Sequence, residues 1–87
     1  PSNKPDIAVC TAVAGELLGM RSIYLEAGSG AQNPVPTKMI AAVKHNISIP
    51  LIVGGGIRTA EALKNAYASG ADVVVVGNVL EENQPFT

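Results

Sequence analysis

An alternation of three helical with three apolar extended segments, a run of four valines and a core built from small aliphatic side chains predict an α/β fold: the C-terminal half of a TIM (β/α)8 barrel, three parallel strands alternating with helices. The order reads α-β-α-β-α-β. Val73-Val74-Val75-Val76 does not alternate with polar residues, so both faces of that strand are expected to be buried. That suits a parallel sheet with helices on one side and a packed interior on the other. Hydrophobic residues fill 47% of the 87 positions and aromatic ones only 3%, a composition that fits such a sheet and not a disulfide-stapled miniature.

The first helix is expected over residues 7–20, with Asp6 as N-cap and Gly19 at its end. Val13, Leu17 and Met20, with Cys10 and Ala14 beside them, recur near the helical period and form its candidate core stripe. Cys10 reads as a small core residue. Gly15 weakens this helix. Residues 22–27 read as a strand, because Ile23, Tyr24 and Leu25 favour pleated, buried surroundings. The segment that follows, 28–36, has no regular period and carries two prolines. It exceeds the usual ~2–6 residues of such a connection, and long loops in compact folds tend to carry function.

Thr37 is expected to cap a helix reaching His45, with Met39, Ile40, Val43 and Ile47 as its apolar stripe and Asn46 closing it in a left-handed conformation. Pro50 opens the strand Leu51-Ile52-Val53, which runs into Gly54-Gly55-Gly56. Thr59 caps the third helix, Ala60, Leu63, Ala66 and Tyr67 share one of its faces, and Gly70 stops it. Tyr67 reads as packing, and His45 as a cation complementing a helix end. Asp72 precedes the valine strand as a turn or cap residue, and Gly77-Asn78 ends that strand. Both strand-to-strand connections are long enough for the helix that a right-handed crossover requires.

Six basic and seven acidic residues leave a net charge of −1, and they are scattered. No basic stripe exists to hold a nucleic-acid backbone. Cys10 is the only cysteine, which excludes an intrachain disulfide and a cysteine metal cluster. The lone cysteine fits a cytoplasmic location, and no stretch reaches the ~18 apolar residues of a membrane span. A complete barrel needs eight strands and ~250 residues. Three strands leave open edges, so the chain is expected to be the C-terminal portion of one barrel domain (residues 1–87) that meets a complementary N-terminal half.

Three constellations could carry chemistry. Gly54-Gly55-Gly56-Ile57-Arg58-Thr59 places three glycines between an apolar strand and a helix. Backbone amides there can approach an anion closely, and the helix dipole favours negative charge. No lysine follows in the spacing of a nucleotide P-loop. A tight barrel turn without a ligand is the plainer alternative. Gly77-Asn78 alone reads as a turn. It gains weight from its place, since the outgoing loops of the last two strands build the phosphate site of phosphate-binding barrels. In Tyr24-Leu25-Glu26-Ala27-Gly28-Ser29-Gly30, strand alternation puts Tyr24 and Glu26 on one face, toward the barrel interior, and Leu25 on the other, toward the helices. A carboxylate there is poorly solvated unless it is paired or catalytic. Arg58, or a residue of the other half, is the candidate partner; Arg58 could equally reach a phosphate.

The strings Tyr24-Leu25-Glu26-Ala27-Gly28-Ser29-Gly30 and Pro34-Val35-Pro36, with Met39-Ile40, the 50–59 segment and the 70–78 segment, resemble the archaeal geranylgeranylglyceryl phosphate synthases. The glycine-rich piece is shared with other phosphate-binding barrels, whereas the first string followed by Pro-Val-Pro is much more specific. The related bacterial heptaprenylglyceryl phosphate synthases are similar in the glycine loop but differ after Tyr-Leu-Glu, so Ala27-Gly28-Ser29-Gly30 favours the archaeal type. The resemblance implies a cytoplasmic, homo-oligomeric prenyltransferase of ether-lipid biosynthesis. Such an enzyme joins geranylgeranyl diphosphate to the C3 hydroxyl of sn-glycerol 1-phosphate with the help of Mg2+. It implies that Gly55, Gly56, Gly77 and Asn78 hold the phosphate through their amides. Tyr24, Ser29, Gly30 and Arg58 would contact substrate. Glu26 would bind the glycerol hydroxyls and act as the catalytic base. The Mg2+ ligands, an aspartate among them, belong to the absent N-terminal half; Glu81 and Glu82 lie in a polar tail and are not taken as ligands.

Two other readings compete. One is a sugar-phosphate isomerase or aldolase on the same cradle, which would need a lysine or second carboxylate at a strand end. The other is a phosphate-binding half-barrel with no activity of its own, and the isolated chain is expected to be inert.

Overall fold

The computed structural model describes residues 5–27 and 33–76. Within them run α1 (Pro5–Leu17), β1 (Ile23–Glu26), α2 (Thr37–Asn46), β2 (Leu51–Gly54), α3 (Ala60–Ser69) and β3 (Val73–Val75). The strands form one parallel sheet in the order β1-β2-β3. Ile23 pairs with Leu51 and Glu26 with Gly54, while Ile52 pairs with Val73 and Gly54 with Val75. Each strand therefore reaches its neighbour through one helix, as a barrel requires.

The helices cover one face. Ile40, Val43, Leu51 and Val53 are fully buried between α2 and the sheet, with Ile23, Val35, Met39 and Ala66 around them. Leu25 and Val74 pack against this core from the same side of their strands. The expected α2 stripe is the observed one: Met39, Ile40 and Val43 are buried and Ile47 is partly so. The opposite face carries Tyr24, Glu26, Ile52, Gly54, Val73 and Val75 by strand alternation.

That face meets water, as three strands without the rest of a barrel would leave it. Val73 and Val75 stay 46% and 43% exposed, and only Val74 packs inward. Burial of both faces of the valine run belongs to a whole barrel, whereas the described residues bring helices to one face alone.

Helix α1 departs further. It begins at Pro5, whose ring presets the helical φ and whose missing N–H costs nothing at a helix start, so Asp6 lies in the first turn and is not the cap. The helix stops at Leu17, short of residue 20, in a Schellman closure at Gly19 (φ 96°), the residue expected to end it: Gly19 donates to the Glu16 carbonyl at 3.0 Å and Met20 to the Gly15 carbonyl at 3.1 Å. The buried face is the small one, Ala12 and Gly15, with Ala8 and Val9 beside it. Cys10 is exposed, Leu17 and Met20 are 81% and 53% exposed and Val13 is only partly buried, so most of the expected stripe looks outward. The reason is distance. A Cβ on Gly15 would lie 2.8 Å from the Met20 sulfur and 3.2 Å from Ile23 Cδ1, a separation that larger side chains would prevent.

Capping was read correctly at α3 and not at α2. Thr59 Oγ1 accepts from the Ala62 amide at 3.0 Å, and Gly70, at φ 127°, closes α3 in a second Schellman motif, donating to Tyr67 O at 3.1 Å while Ala71 donates to Ala66 O at 3.1 Å. Thr37 is instead the first residue of α2, behind Pro36, with no side-chain cap. Asn46 does not turn left-handed: its side chain donates to the Ala42 carbonyl at 2.7 Å, and the chain leaves through an extended Ile47.

The N-terminal ends of the strands are tied together. One Asp72 carboxylate oxygen accepts from the Leu51 amide at 2.8 Å and from Lys44 Nζ at 2.7 Å, joining β3, β2 and α2. The Asp72 amide donates back to Leu51 O at 2.8 Å. Glu16 accepts from the Ser48 amide at 2.8 Å through one oxygen and from the Ser48 hydroxyl through the other, joining α1 to the approach to β2. Both carboxyls are held below their ordinary range, Asp72 by Lys44 first and then the Leu51 amide, Glu16 by the Ser48 hydroxyl first and then its amide.

Candidate functional site

At the C-terminal ends of the strands, the backbone is built for close approach. Gly54 closes β2 as a strand residue, and Gly55 and Gly56 follow with φ of 86° and 72°, left-handed values that a side chain resists. Gly56 is also crowded: a Cβ there would stand 2.5 Å from the Asn33 carbonyl oxygen and 2.8 Å from Pro34 N. The turn after β2 thus lies directly against the chain entering α2. This explains part of the triple glycine without any ligand, since two of the three serve turn geometry and packing.

Tyr24 and Glu26 sit on the open face of β1, one strand away. Glu26 is paired in register with Gly54, and the bond from the Ala27 amide to Gly54 O, 3.1 Å, fixes β1 beside β2 at that level. Both side chains are exposed, Tyr24 to 50%. The Tyr24 phenol lies across Gly54, its hydroxyl 2.7 Å from where a Gly54 Cβ would be. A phenol, a carboxylate and two left-handed glycines therefore meet at one rim of the sheet, while the charged ties of Asp72 and Glu16 lie at the other. Phenol and carboxylate can hold hydroxyl groups; amides freed by a glycine turn can hold an anion.

Arg58 follows the buried Ile57 and is exposed at the start of the approach to α3. Ser29, Gly30, Gly77 and Asn78 lie outside the described residues, as do Glu81 and Glu82. Among the described residues no three His, Cys, Asp or Glu side chains converge, and Glu26 is the one carboxylate on the open strand face, so these residues offer a divalent cation no complete ligand set. An apolar groove of about 550 Å³ runs between α1 and the outer edge of β1, walled by Ile7, Ala12, Met20 and Ile23, with Tyr24 and Glu26 at its lip. No helix among the described residues is long and apolar enough to cross a membrane.

Two contacts escaped sequence reasoning. Tyr67 is 48% exposed and is more than packing, because its hydroxyl accepts from the Val74 amide at 3.3 Å. Gly54 is not a loop glycine but the floor beneath Tyr24, and no local signal marks it, because the ring reaches it from the neighbouring strand.

Residues 1–86 match the model of the PcrB family. The chain is 56% identical over 82 residues to a geranylgeranylglyceryl phosphate synthase of Thermococcus gammatolerans, covering 94% of this chain and 32% of that protein. It is 53% identical over 83 residues to one of Spirosoma linguale, covering 95% of this chain and 33% of that protein. The chain thus spans about a third of the length of the curated relatives it matches. Among solved structures, it superposes with a TM-score of 0.89 and 41% identity on (S)-3-O-geranylgeranylglyceryl phosphate synthase from Thermoplasma acidophilum in complex with the substrate sn-glycerol-1-phosphate, covering 95% of this chain and 34% of that one. An N-acetylmannosamine-6-phosphate 2-epimerase from Clostridium perfringens, at 23% identity and a TM-score of 0.70, covers 82% of this chain and 33% of that one and shares the fold alone.

Proposed function

Because the chain belongs to the PcrB family, we propose that it supplies the glycerol-phosphate site of a prenyltransferase, which joins geranylgeranyl diphosphate to the C3 hydroxyl of sn-glycerol 1-phosphate in ether-lipid biosynthesis. The observation that carries this reading is the rim itself: Tyr24 and Glu26 share one strand face, with Glu26 in register with Gly54, which leads into two left-handed glycines. The relative solved with sn-glycerol-1-phosphate supports the choice of acceptor.

In this reading the phosphate lies on the amides of Gly55, Gly56, Gly77 and Asn78, within reach of Arg58. Ser29, Gly30 and Tyr24 contact the acceptor, and Glu26 holds its hydroxyls. A hydroxyl is a weak nucleophile until its proton is drawn away in the transition state. The C3 oxygen forms its bond to the allylic carbon of the donor while the carbon–oxygen bond to diphosphate breaks. The bonding electrons leave with diphosphate, and the hydroxyl proton passes to the Glu26 carboxylate. Positive charge that develops on the allylic carbon is stabilised by the same carboxylate. Mg2+ would neutralise the departing diphosphate, and its ligands belong to the complementary N-terminal part of the barrel.

That part would cover the open face of the sheet and pair with the outer edge of β1, filling the apolar groove beside it. The assembled enzyme is a cytoplasmic homo-oligomer in this reading. The test is a chimera in which this chain replaces the matching third of the Thermococcus gammatolerans relative. It is expected to show Mg2+-dependent transfer of label from geranylgeranyl diphosphate to sn-glycerol 1-phosphate. A folded chimera that binds neither compound would sink the proposal.

A further inference from the structure

Gly54 is unlike the two glycines that follow it. Its backbone is that of an ordinary strand residue, and it is absent from the left-handed set of Gly19, Gly55, Gly56 and Gly70. A glycine in a strand gives up side-chain packing and loses more chain entropy than alanine would. Backbone geometry therefore provides no reason for glycine at this position, and the reason must lie in what surrounds it.

The surroundings name Tyr24. An added Cβ would meet the Tyr24 hydroxyl at 2.7 Å, far inside normal contact, while Cζ and Cε1 of the ring, at 3.4 and 3.5 Å, would be ordinary neighbours. Tyr24 pairs in register with Ile52, and Gly54 is two residues further along β2. The ring thus crosses diagonally from β1 to β2, toward the C-terminal rim, a reach that aromatic side chains make between strands. At the end of that diagonal the hydroxyl lies against Gly54, the residue that leads into Gly55 and Gly56.

We infer that Gly54 is a positioning residue: by lacking a side chain it lets the Tyr24 phenol lie flat across β2 and fixes its hydroxyl beside the glycine turn. A methyl group at position 54 would leave the fold in place, because Tyr24 is half exposed and its ring can swing outward. The hydroxyl would then leave the rim. The consequence for substrate rests on the reading of Tyr24 as a contact of the glycerol phosphate.

The test uses the chimera described above, with Gly54→Ala, Tyr24→Phe and both together. Tyr24→Phe removes the one atom that collides with the methyl group. Gly54→Ala alone is expected to raise KM for sn-glycerol 1-phosphate about tenfold with kcat little changed, the scale of one lost hydrogen bond to a charged or polar ligand. Tyr24→Phe should do the same, and the double variant should be no worse than either. Losses that multiply in the double variant would overturn the inference, because they would mean that Gly54 acts independently of the hydroxyl. A crystal structure of the Gly54→Ala chimera supplies the second reading: the ring is expected off β2, and a ring still lying across Ala at this position would also overturn it. Should the parent chimera fold and bind neither compound, the prenyl-transfer reading falls, while the crystal structure still decides where Gly54 puts the phenol.

Discussion

Glu26 stands in register with a glycine on the open face of the sheet, where its carboxylate meets solvent and whatever enters the rim. Replacing it by Gln in the chimera keeps the shape and removes the base. Transfer is expected to slow about 100-fold or more, the usual worth of a positioned general base; near-normal turnover in a single-turnover assay would remove Glu26 from the chemistry. At the other end, Asp72 makes a pH prediction. Its pKa is lowered in the fold, by the Lys44 hydrogen bond before the Leu51 amide, so the carboxylate form favours the folded state. That stability is fully present above the unfolded aspartate pKa, about 4, and is lost as pH falls through the lower folded value. Acid melting should therefore flatten in Asp72→Asn, whose Tm at neutral pH already lies below that of the parent. Asp72 was legible only as a turn or cap residue, because both its partners are distant in sequence, Leu51 at 21 positions and Lys44 at 28.

At the scale of elements, helix α3 is the one whose ends were fully readable. Thr59→Ala deletes the cap bond to Ala62 and is expected to cost about 1 kcal/mol, read as a lower denaturation midpoint with unchanged slope. Thr37→Ala should cost far less, since Thr37 makes no cap bond at α2. Ile40 is 1% exposed and lies between α2 and the sheet, so Ile40→Ala should cost about 2–5 kcal/mol. Strand and helix order, the α2 stripe and the stop at Gly70 were legible because local periodicity and backbone chemistry dictate them. The buried face of α1 was not. Periodicity picks out large side chains, whereas the contact with Met20 and Ile23 selects Gly15 for its small size, beside the buried Ala12. The alternation of Tyr24 and Glu26 gave their shared face, but no local signal showed that the Tyr24 ring would lie across Gly54.

For the molecule as a whole, the open strand face is the dominant fact. Tyr24, Val73 and Val75 remain about half exposed on it, and Leu17, Leu18 and Met20 add apolar surface at the end of α1. Such surface beside unpaired strand edges drives association. The chain alone is expected to run as oligomers in size-exclusion light scattering, and Val73→Lys with Val75→Lys should shift it toward monomer. A monodisperse parent would contradict this. The ties of Asp72, Lys44, Glu16 and Ser48 have a consequence for motion and drift, because all of them hold one end of the sheet. Amide exchange should be slowest at Leu51 and Asp72 and faster toward Gly55 and Gly56, so the sheet is anchored at its floor and breathes at its rim. Loops on the breathing side can be exchanged over evolutionary time, or by an engineer, without loosening the anchor.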